Sequence, residues 1–282
     1  MGYSAAYVTW ADPEKVDDEK EITVAAWAGV GITGRIERWD DPGADWAAYD
    51  AVVVRTPWDY VDRRAEFLAW ARRVESVTRL LNPADVLERN TDKTYLRELD
   101  APIIPTYWGV PGEAADFPDL GEYVVKPSIS VGARDTIRTA DRAEAEAHVA
   151  RLTGAGRTAM IQPYLDMVET EGETSLLYFG GRFSHAVRRN AMLGGEASEP
   201  GQGSDDHGRF RDPEPDQIAL AERVLAGYPT LLYARVDLVR LADGGPALIE
   251  LELTEPYLFL RYAPGAVDTF ARALARMLAE AR

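Results

Sequence analysis

The segment "ARVDLVRLADGGPALIELELTEP", residues 234–256, is the most informative stretch of this chain. Two apolar runs flank a turn at Asp243, which predicts a β-hairpin. Side chains two apart on a strand point to one face, so Glu250 and Glu252 share a face. A two-residue or symmetric four-residue loop at the turn places Asp237 directly opposite Glu250. The hairpin therefore gathers three carboxylates on one face of an antiparallel sheet.

Three carboxylates on one face need a cation, because like charges directly opposite each other destabilise a sheet. Oxygen ligands without histidine or cysteine suit Mg²⁺ or Mn²⁺, which proteins commonly share with nucleotide phosphates. We therefore predict Asp237, Glu250 and Glu252 as metal ligands. The alternative is a solvated strand face whose charges are paired with Arg235 or Arg240.

Two lysines upstream of the hairpin are candidates for phosphate contacts. Lys126 ends the apolar strand "YVVKP" and precedes a loop of small residues that includes Ser130 and Gly132. The backbone N–H groups of such a loop can cover phosphates while the lysine supplies charge. Lys93 lies near the start of a helix capped by Thr91 or Asp92. The alternatives are an edge-strand lysine for Lys126 and a solvated helix lysine for Lys93.

Two further segments complete the order of motifs. "IQPYLD" is a strand that breaks at Pro163 and leaves backbone groups free for an adenine edge near Gln162, Tyr164 and Leu165. In "SHAVRRN", Arg188 could contact a phosphate. A strand that merely leaves its domain, and a surface arginine, are the ordinary interpretations.

Strands alternating with helices over residues 1–85 predict a small doubly wound α/β unit whose ligands bind at the strand carboxyl ends. "RTPWDY" falls at such an end, so we predict substrate contacts there from Arg55, Thr56, Trp58 and Asp59. An arginine can grip a carboxylate through two parallel hydrogen bonds. The alternative is that Arg55 and Asp59 simply pair with each other.

Composition restricts the remaining possibilities. The 282 residues carry a formal net charge of −16, no cysteine and three histidines. These numbers argue against nucleic-acid binding, thiol catalysis and a zinc site. No export signal or membrane span is evident, so we expect a cytoplasmic protein. "GVGITG", residues 29–34, matches a dinucleotide fingerprint only in its letters, because a helix precedes it and a strand follows.

The order of these motifs resembles that of the ATP-grasp carboxylate ligases, in the glutathione-synthetase and ribosomal-protein-glutamate-ligase branch. The resemblance covers about residues 85–280, from Lys93 through "VVKP", "QPYL", a "GE" pair and "AVRR" to Asp…Glu-x-Glu. "RTPWDY" and "SHAVRR" together are similar to the ligases that close O-ureido-D-serine to D-cycloserine. Many relatives have asparagine where this chain has Glu252, and a carboxylate still ligates magnesium.

The resemblance implies an N-terminal substrate domain (1–85), a linker helix with a central lid (86–165) and a C-terminal subdomain with the metal site (166–282). It also implies ATP contacts at Lys93, Lys126, Ser130, Gly132, Gln162, Tyr164, Leu165 and Glu173, with Glu173 at the ribose. Arg188 and Lys126 are the implied catalytic residues. The loop at 194–215 is expected to close over the site.

The expected reaction is ATP- and Mg²⁺-dependent formation of an acyl phosphate, captured by a nitrogen nucleophile of an amino-acid-derived substrate. Intramolecular capture gives a ring, and a homodimer is compatible with this reading. The alternatives are an intermolecular amino-acid or peptide ligase, a non-enzymatic nucleotide sensor on the same fold, and an α/β protein without a nucleotide site.

Overall fold

The structure is a computed structural model that describes residues 2–11, 17–190 and 208–280. Residues 194–207 of the predicted closing loop lie outside this description. No helix in the described ranges is long and apolar enough to cross a membrane.

The first sheet has four parallel strands in the order β2-β1-β3-β4, which are β1 (Tyr3–Thr9), β2 (Ile32–Arg38), β3 (Ala51–Thr56) and β4 (Leu80–Leu81). Alternate residues of β3 face two different cores: Ala51 and Val53 pack with Trp27, whereas Val52 and Val54 pack with Phe67. Helices α1 (Lys20–Gly29) and α2 (Arg64–Glu75) supply these two layers. The predicted doubly wound unit is therefore confirmed, and its strand order changes direction between β1 and β3.

The last helix of the chain packs on the N-terminal sheet. Helix α7 (Ala266–Glu280) packs beside α1 and contributes Phe270 and Leu274 to the same core. The first and last parts of the chain therefore share one hydrophobic core.

The central sheet is antiparallel in the order β5-β8-β6-β7, which are β5 (Tyr107–Gly109), β6 (Tyr123–Pro127), β7 (Ile137–Thr139) and β8 (Ala159–Pro163). Asp141 is the N-cap of helix α4 (Arg142–Gly154), and its side chain accepts a hydrogen bond from the Ala143 N–H. The buried residues of α4 pack on one face of this sheet.

The third sheet is antiparallel in the order β11-β10-β9-β12-β13, which are β9 (Glu173–Phe179), β10 (Arg182–Arg189), β11 (Arg209–Arg211), β12 (Tyr233–Arg240) and β13 (Pro246–Glu252). Helix α6 (Pro215–Leu225) packs on one face. The opposite face of β9 buries Leu177 and Phe179 against α7 and carries Glu173 and Ser175 further along. The short helices α3 (Ala84–Asn90) and α5 (Met167–Thr170) connect the sheets.

A 3-10 turn at Trp46–Ala48 precedes β3, which begins at Ala51. One local prediction differs from the structure. Lys93 begins a 3-10 turn, Lys93–Glu98, instead of an α-helix. The Asp92 side chain caps that turn, as predicted, by accepting a hydrogen bond from the Thr94 N–H at 3.1 Å. Each sheet lies within one of the three predicted units, whose boundaries remain predictions.

Candidate active site

The acidic hairpin has the predicted register, reached by a different route. Asp237 pairs with Glu250, as expected. The loop between β12 and β13 is five residues long, 241–245, and would by itself shift the pairing by one residue. A bulge just beyond Asp237, where Leu238 pairs with Leu248, leaves Ile249 as the extra residue and restores the register.

Asp237 is fully enclosed by hydrogen-bond donors. Its carboxylate accepts hydrogen bonds from Ser175 Oγ at 2.6 Å, Arg235 Nε at 3.0 Å and Arg189 Nη2 at 2.9 Å. Burial would raise the pKa of Asp237, but the two arginines outweigh it and hold the pKa below its ordinary value. Asp237 therefore stays ionised and fixes both guanidinium groups.

Glu250 and Glu252 keep about a quarter of their side-chain surface exposed, at 25% and 26%. Glu250 lies 3.2 Å from Lys93 Nζ, and Glu252 is paired with Arg235. Burial raises the pKa of Glu252 to about 7, although Arg235 opposes the shift. A ligand in the cleft, which lies between the central sheet and the third sheet, can therefore reach these two carboxylates.

The predicted metal trio is only partly assembled. Within residues 2–11, 17–190 and 208–280, no three histidine, cysteine, aspartate or glutamate side chains converge as a ready ligand set. The reason is Arg235, which lies on the same face and contacts both Asp237 and Glu252. Glu250 and Glu252 fit a divalent cation directly, whereas Asp237 fits one only if Arg235 and Arg189, which both contact its carboxylate, turn away.

Of the two neighbouring arginines in "AVRR", Arg189 lies on the carboxylate face and Arg188 does not. In the pairing of β10 with β9, Arg189 lies opposite Glu173 and contacts both Glu173 and Asp237. Arg188 points to the other face, where it donates to the backbone carbonyls of Glu171 at 2.6 Å and Thr170 at 3.0 Å. The geometry thus does not place Arg188 near the carboxylates.

Lys93 joins the acidic hairpin to the small-residue loop. Its ammonium donates to the Ser130 carbonyl at 2.8 Å and is paired with Glu250. Burial lowers the pKa of Lys93, but Glu250 more than offsets this and the net shift is upward. Gly132 has φ of 60°, a conformation that favours glycine and lets the loop turn back toward Lys93.

Lys126 lies on β6, half-buried, and faces the same cleft. Burial lowers its pKa, while Glu250, Glu173 and Asp237 oppose the shift. The cleft walls therefore carry two lysines, from the linker and the central sheet, against the carboxylates of the third sheet. Glu173, predicted at the ribose, lies among those carboxylates, and its pKa is raised by burial despite Arg189.

Some groups of the segment predicted to bind adenine, residues 162–165, already make other contacts. The Gln162 side chain donates to Thr106 at 2.8 Å, and the Tyr164 ring stacks under the Arg138 guanidinium. The Tyr164 N–H donates to the Glu122 carbonyl, so it is not free as the broken strand suggested. No described residue bonds to the Leu165 N–H or the Tyr164 carbonyl. These two groups are the ones available to an adenine edge.

The four residues predicted to bind substrate make different contacts in the structure. Arg55 is buried, donates to the Pro256 carbonyl at 2.7 Å and lies 3.6 Å from the Glu19 carboxylate. Asp59 accepts from the Trp39 indole at 2.7 Å, so Arg55 and Asp59 do not pair with each other either.

The other two predicted substrate residues lie near the carboxyl ends of β1 and β3. The Thr56 hydroxyl is bonded to Thr9 at 2.8 Å. Trp58 packs edge-on against Trp10, with 6.5 Å between ring centroids. Thr56 and Trp58 thus each contact a residue at the carboxyl end of β1, Thr9 and Trp10 respectively.

Two residues of the cleft have no counterpart in the sequence predictions. Glu255 follows β13, and its carboxylate and the buried phenol of Tyr60 in "RTPWDY" act on each other electrostatically. Burial raises the pKa of Glu255 to about 8, and the negative charges of Glu252 and Glu250 add to the shift. The sequence could have indicated Glu255, because it is the third carboxylate in "ELELTEP".

Comparisons with known proteins agree with this geometry. Residues 5–82 match the family described as D-cycloserine synthetase DcsG, N-terminal domain. The cycloserine biosynthesis protein DcsG of Streptomyces lavendulae is 39% identical over an alignment of 297 positions, which covers 97% of this chain and 98% of that protein. The crystal structure of D-cycloserine synthetase DcsG superimposes with a TM-score of 0.88 at 37% identity, covering 98% of this chain and 99% of that one.

A more distant structure shares the fold alone. The D-alanine–D-alanine ligase from Bacillus anthracis complexed with ATP has a TM-score of 0.66 at 15% identity, covering 99% of this chain and 98% of that one.

Proposed function

This chain belongs to the D-cycloserine synthetase family of ATP-grasp ligases, and on that premise we propose that it closes O-ureido-D-serine to D-cycloserine using ATP and Mg²⁺. The family predicted from the motifs is thereby confirmed, and the chain is an ATP-dependent ligase. The observation that carries the proposal is Lys93, which links Glu250 to the loop at Ser130. We expect the reaction in the cytoplasm, where ATP is supplied.

The first step is attack of the substrate carboxylate on the γ-phosphorus of ATP. Lys93 and Lys126 face the cleft and would neutralise charge on the phosphates as it moves. Glu250 and Glu252 would hold Mg²⁺, which supplies further charge neutralisation when bound. The Tyr164 carbonyl and the Leu165 N–H would take the adenine edge.

The second step is capture of the acyl phosphate by the ureido nitrogen that is bonded to oxygen in the same molecule, which expels inorganic phosphate and leaves the carbamoyl group on the ring nitrogen. Water then removes that group as ammonia and carbon dioxide, which gives D-cycloserine. Arg189, oriented by Glu173 and Asp237, is the donor that we place at the acyl oxygen. Its two carboxylate partners fix the guanidinium before substrate arrives, so little reorganisation is needed. Ring closure benefits from proximity, because both reacting groups belong to one substrate.

The test is ADP release by the purified protein with O-ureido-D-serine as sole substrate, together with detection of the ring product. Glu250→Gln and Glu252→Gln should reduce turnover by about 100-fold or more, because a neutral amide is a weaker ligand. Glu88→Gln is the matched control, since Glu88 is an exposed carboxylate paired with Arg72 outside the cleft. If both cleft variants keep the parental turnover at the parental half-saturating Mg²⁺, the metal assignment is wrong.

The same assay separates the intermolecular alternative. ADP release that requires a second, separate amine would identify a ligase that joins two molecules. Release with the single substrate supports ring closure.

A further inference from the structure

An arginine of the central sheet, Arg138 of β7, contacts the segment predicted to bind adenine, residues 162–165. Arg138 pairs with Val124 of β6, which in turn pairs with Gln162 of β8. Directly paired residues share a face of a sheet, and Lys126 lies two residues beyond Val124 on the same strand. Arg138 therefore lies on the face of the central sheet that carries Lys126 and Gln162, opposite the face on which α4 packs.

All three nitrogens of the Arg138 guanidinium are bonded to carboxylates. Nε donates to Glu122 Oε1 at 2.7 Å, Nη2 to Glu122 Oε2 at 3.2 Å and Nη1 to Glu169 Oε1 at 3.0 Å. The two bonds to Glu122 form a fork, which fixes the plane of the guanidinium. The group is thus committed to these carboxylates and is not a contact for phosphate.

The fixed guanidinium covers the ring of Tyr164. Its carbon atom Cζ lies 3.4 Å from the ring centroid, which makes a close cation–π stack. The Tyr164 hydroxyl donates to Glu169 at 2.9 Å, and the Tyr164 N–H donates to the Glu122 carbonyl at 3.0 Å. The two residues that hold Arg138 therefore also hold Tyr164, which is fixed through its ring, its hydroxyl and its backbone.

This arrangement restricts the direction of the Leu165 N–H, one of the groups proposed above for the adenine edge. The N–H follows Tyr164 directly in the chain, and the Leu165 carbonyl on its other side accepts the Val168 N–H at 2.9 Å. With both sides held, the donor is oriented before a nucleotide arrives. Adenine offers a lone pair at N1 to such a donor, whereas guanine and hypoxanthine carry an N–H there. A donor of fixed direction therefore selects adenine, because two donors that face each other both stay unpaired.

We propose that Arg138 is a positioning residue that sets the adenine specificity of the nucleotide site through Tyr164. The inference rests on the proposed function, in its assignment of the adenine edge to Leu165. Arg138 does not touch the nucleotide and acts through the ring that it covers. Its partners Glu122 and Glu169 are 34% and 50% exposed. Because such surface ion pairs add little to stability, loss of Arg138 should affect the direction of the donor more than the folding of the sheet.

Direct binding of ATP and of inosine triphosphate tests the proposal, with Mg²⁺ present and without a carboxylate substrate. Inosine triphosphate differs from ATP only at the base edge, where it has an N1–H and a carbonyl oxygen. Isothermal titration calorimetry gives the Kd of each nucleotide. In Arg138→Ala the Kd for ATP should rise by about 10-fold, the effect of losing one hydrogen bond, while the Kd for inosine triphosphate stays within about twofold. The preference for ATP, which is the ratio of the two Kd values, should therefore fall.

Arg142→Ala is the matched control. Arg142 also bonds a carboxylate, that of Glu146, at 2.8 Å, and its guanidinium lies over the ring of Phe117, 5.5 Å from the centroid. It belongs to α4, which packs on the other face of the central sheet, so both Kd values should stay within about twofold of the parent. Arg138→Lys keeps the charge and loses the plane and the fork, so it should show the same loss of preference. This variant serves as the test if Arg138→Ala does not fold, as judged by circular dichroism.

Three results would overturn the inference. The first is a parental preference for ATP in Arg138→Ala and Arg138→Lys. The second is an equal rise of both Kd values, since a general loosening of the central sheet weakens every nucleotide alike. The third is a parent that binds the two nucleotides equally. Failure of the proposed ring closure gives a different result, in which the parent prefers ATP, the Arg138 variants lose that preference and no ring forms from O-ureido-D-serine. That result leaves the role of Arg138 standing.

Discussion

Arg188 and Arg189 are neighbours in sequence and lie on opposite faces of β10. The sequence offers no means of choosing between them, because the choice depends on the register between β9 and β10, which shifts between Phe183 and His185. A one-residue change of register moves every side chain to the other face. The motif "AVRR" therefore predicts an arginine of the site without showing which one it is.

The arginine assignment can be tested with matched variants. Arg189→Lys should lower kcat by about 10- to 100-fold, since an ammonium cannot bond Glu173 and Asp237 in the same planar geometry. Arg188→Lys should keep kcat within about twofold, because its partners are carbonyls on the opposite face. Steady-state ADP release measures both. Equal losses in the two variants would contradict the assignment.

Glu19 makes the stability of the protein depend on pH. Its carboxylate is 1% exposed and accepts the N–H groups of Leu258 at 2.9 Å and Leu260 at 2.6 Å. Burial raises the pKa of Glu19 from 4.5 to about 7, even though Arg55 lowers it. The folded state thus holds this proton more tightly than the unfolded chain does. Its contribution to stability is present below pH 4.5 and is lost as the pH rises toward 7.

Urea unfolding of the parent and of Glu19→Gln between pH 5 and pH 7.5 tests this dependence. The parent midpoint should fall as the pH rises, and the variant midpoint should fall less, because an amide does not titrate. Glu252 and Glu255 shift in the same direction and remain in both proteins, so the difference between the profiles isolates Glu19. Parallel profiles would show that Glu19 is not the titrating group.

At the scale of elements, the loop at 128–135 connects the nucleotide side of the cleft to the N-terminal unit. Val131 packs against the core that contains Val54 and Phe67. Arg134 forms an ion pair with Asp62 at 2.7 Å, with both side chains more than half exposed. Exposed pairs contribute about 0–1 kcal/mol, so the apolar contact is the stronger of the two.

This difference predicts how ATP binding responds to each contact. Val131→Asp should raise the KM for ATP by about 10-fold, because a charge placed in the apolar contact holds the loop away. Asp62→Asn, the control, should change the KM by less than about twofold. The measurement is ADP release against ATP concentration. An unchanged KM in Val131→Asp would show that the loop does not depend on this contact.

The elements also show where sequence reasoning succeeds. The pairing of Asp237 with Glu250 depends on a local hairpin and was predicted correctly, although a bulge produces it instead of loop symmetry. Arg55 was predicted as a substrate contact from its place at a strand end. Its burial depends on Pro256, 201 residues away, which no local pattern reports.

At the scale of the whole molecule, the core around Phe270 joins the two ends of the chain. Phe270 is fully buried and its ring lies 5.0 Å from that of Phe179 and 6.3 Å from that of Tyr233. Ala5, Tyr7 and Val53 of the N-terminal sheet belong to the same core. The N-terminal and C-terminal units should therefore unfold together.

Phe270→Ala tests this cooperation. It should lower the free energy of unfolding by about 3–5 kcal/mol, the cost of removing a buried phenylalanine. Far-ultraviolet circular dichroism and tryptophan fluorescence should report the same transition, since Trp27 lies in this core. Phe210→Ala, at a ring that is 54% exposed, should cost less than about 0.5 kcal/mol. Two separate transitions in the parent would contradict a shared core.

The position of α7 has a consequence for synthesis on the ribosome. Strands β1 to β4 are translated long before α7, and until then the face that α7 covers is exposed, with Tyr7 and Val53 on it. An uncovered apolar face on a nascent chain is a surface for chaperones or for a neighbouring nascent chain. Slow translation of the last third would prolong that exposure, so the yield of active protein should depend on how quickly the ribosome reaches the final helix.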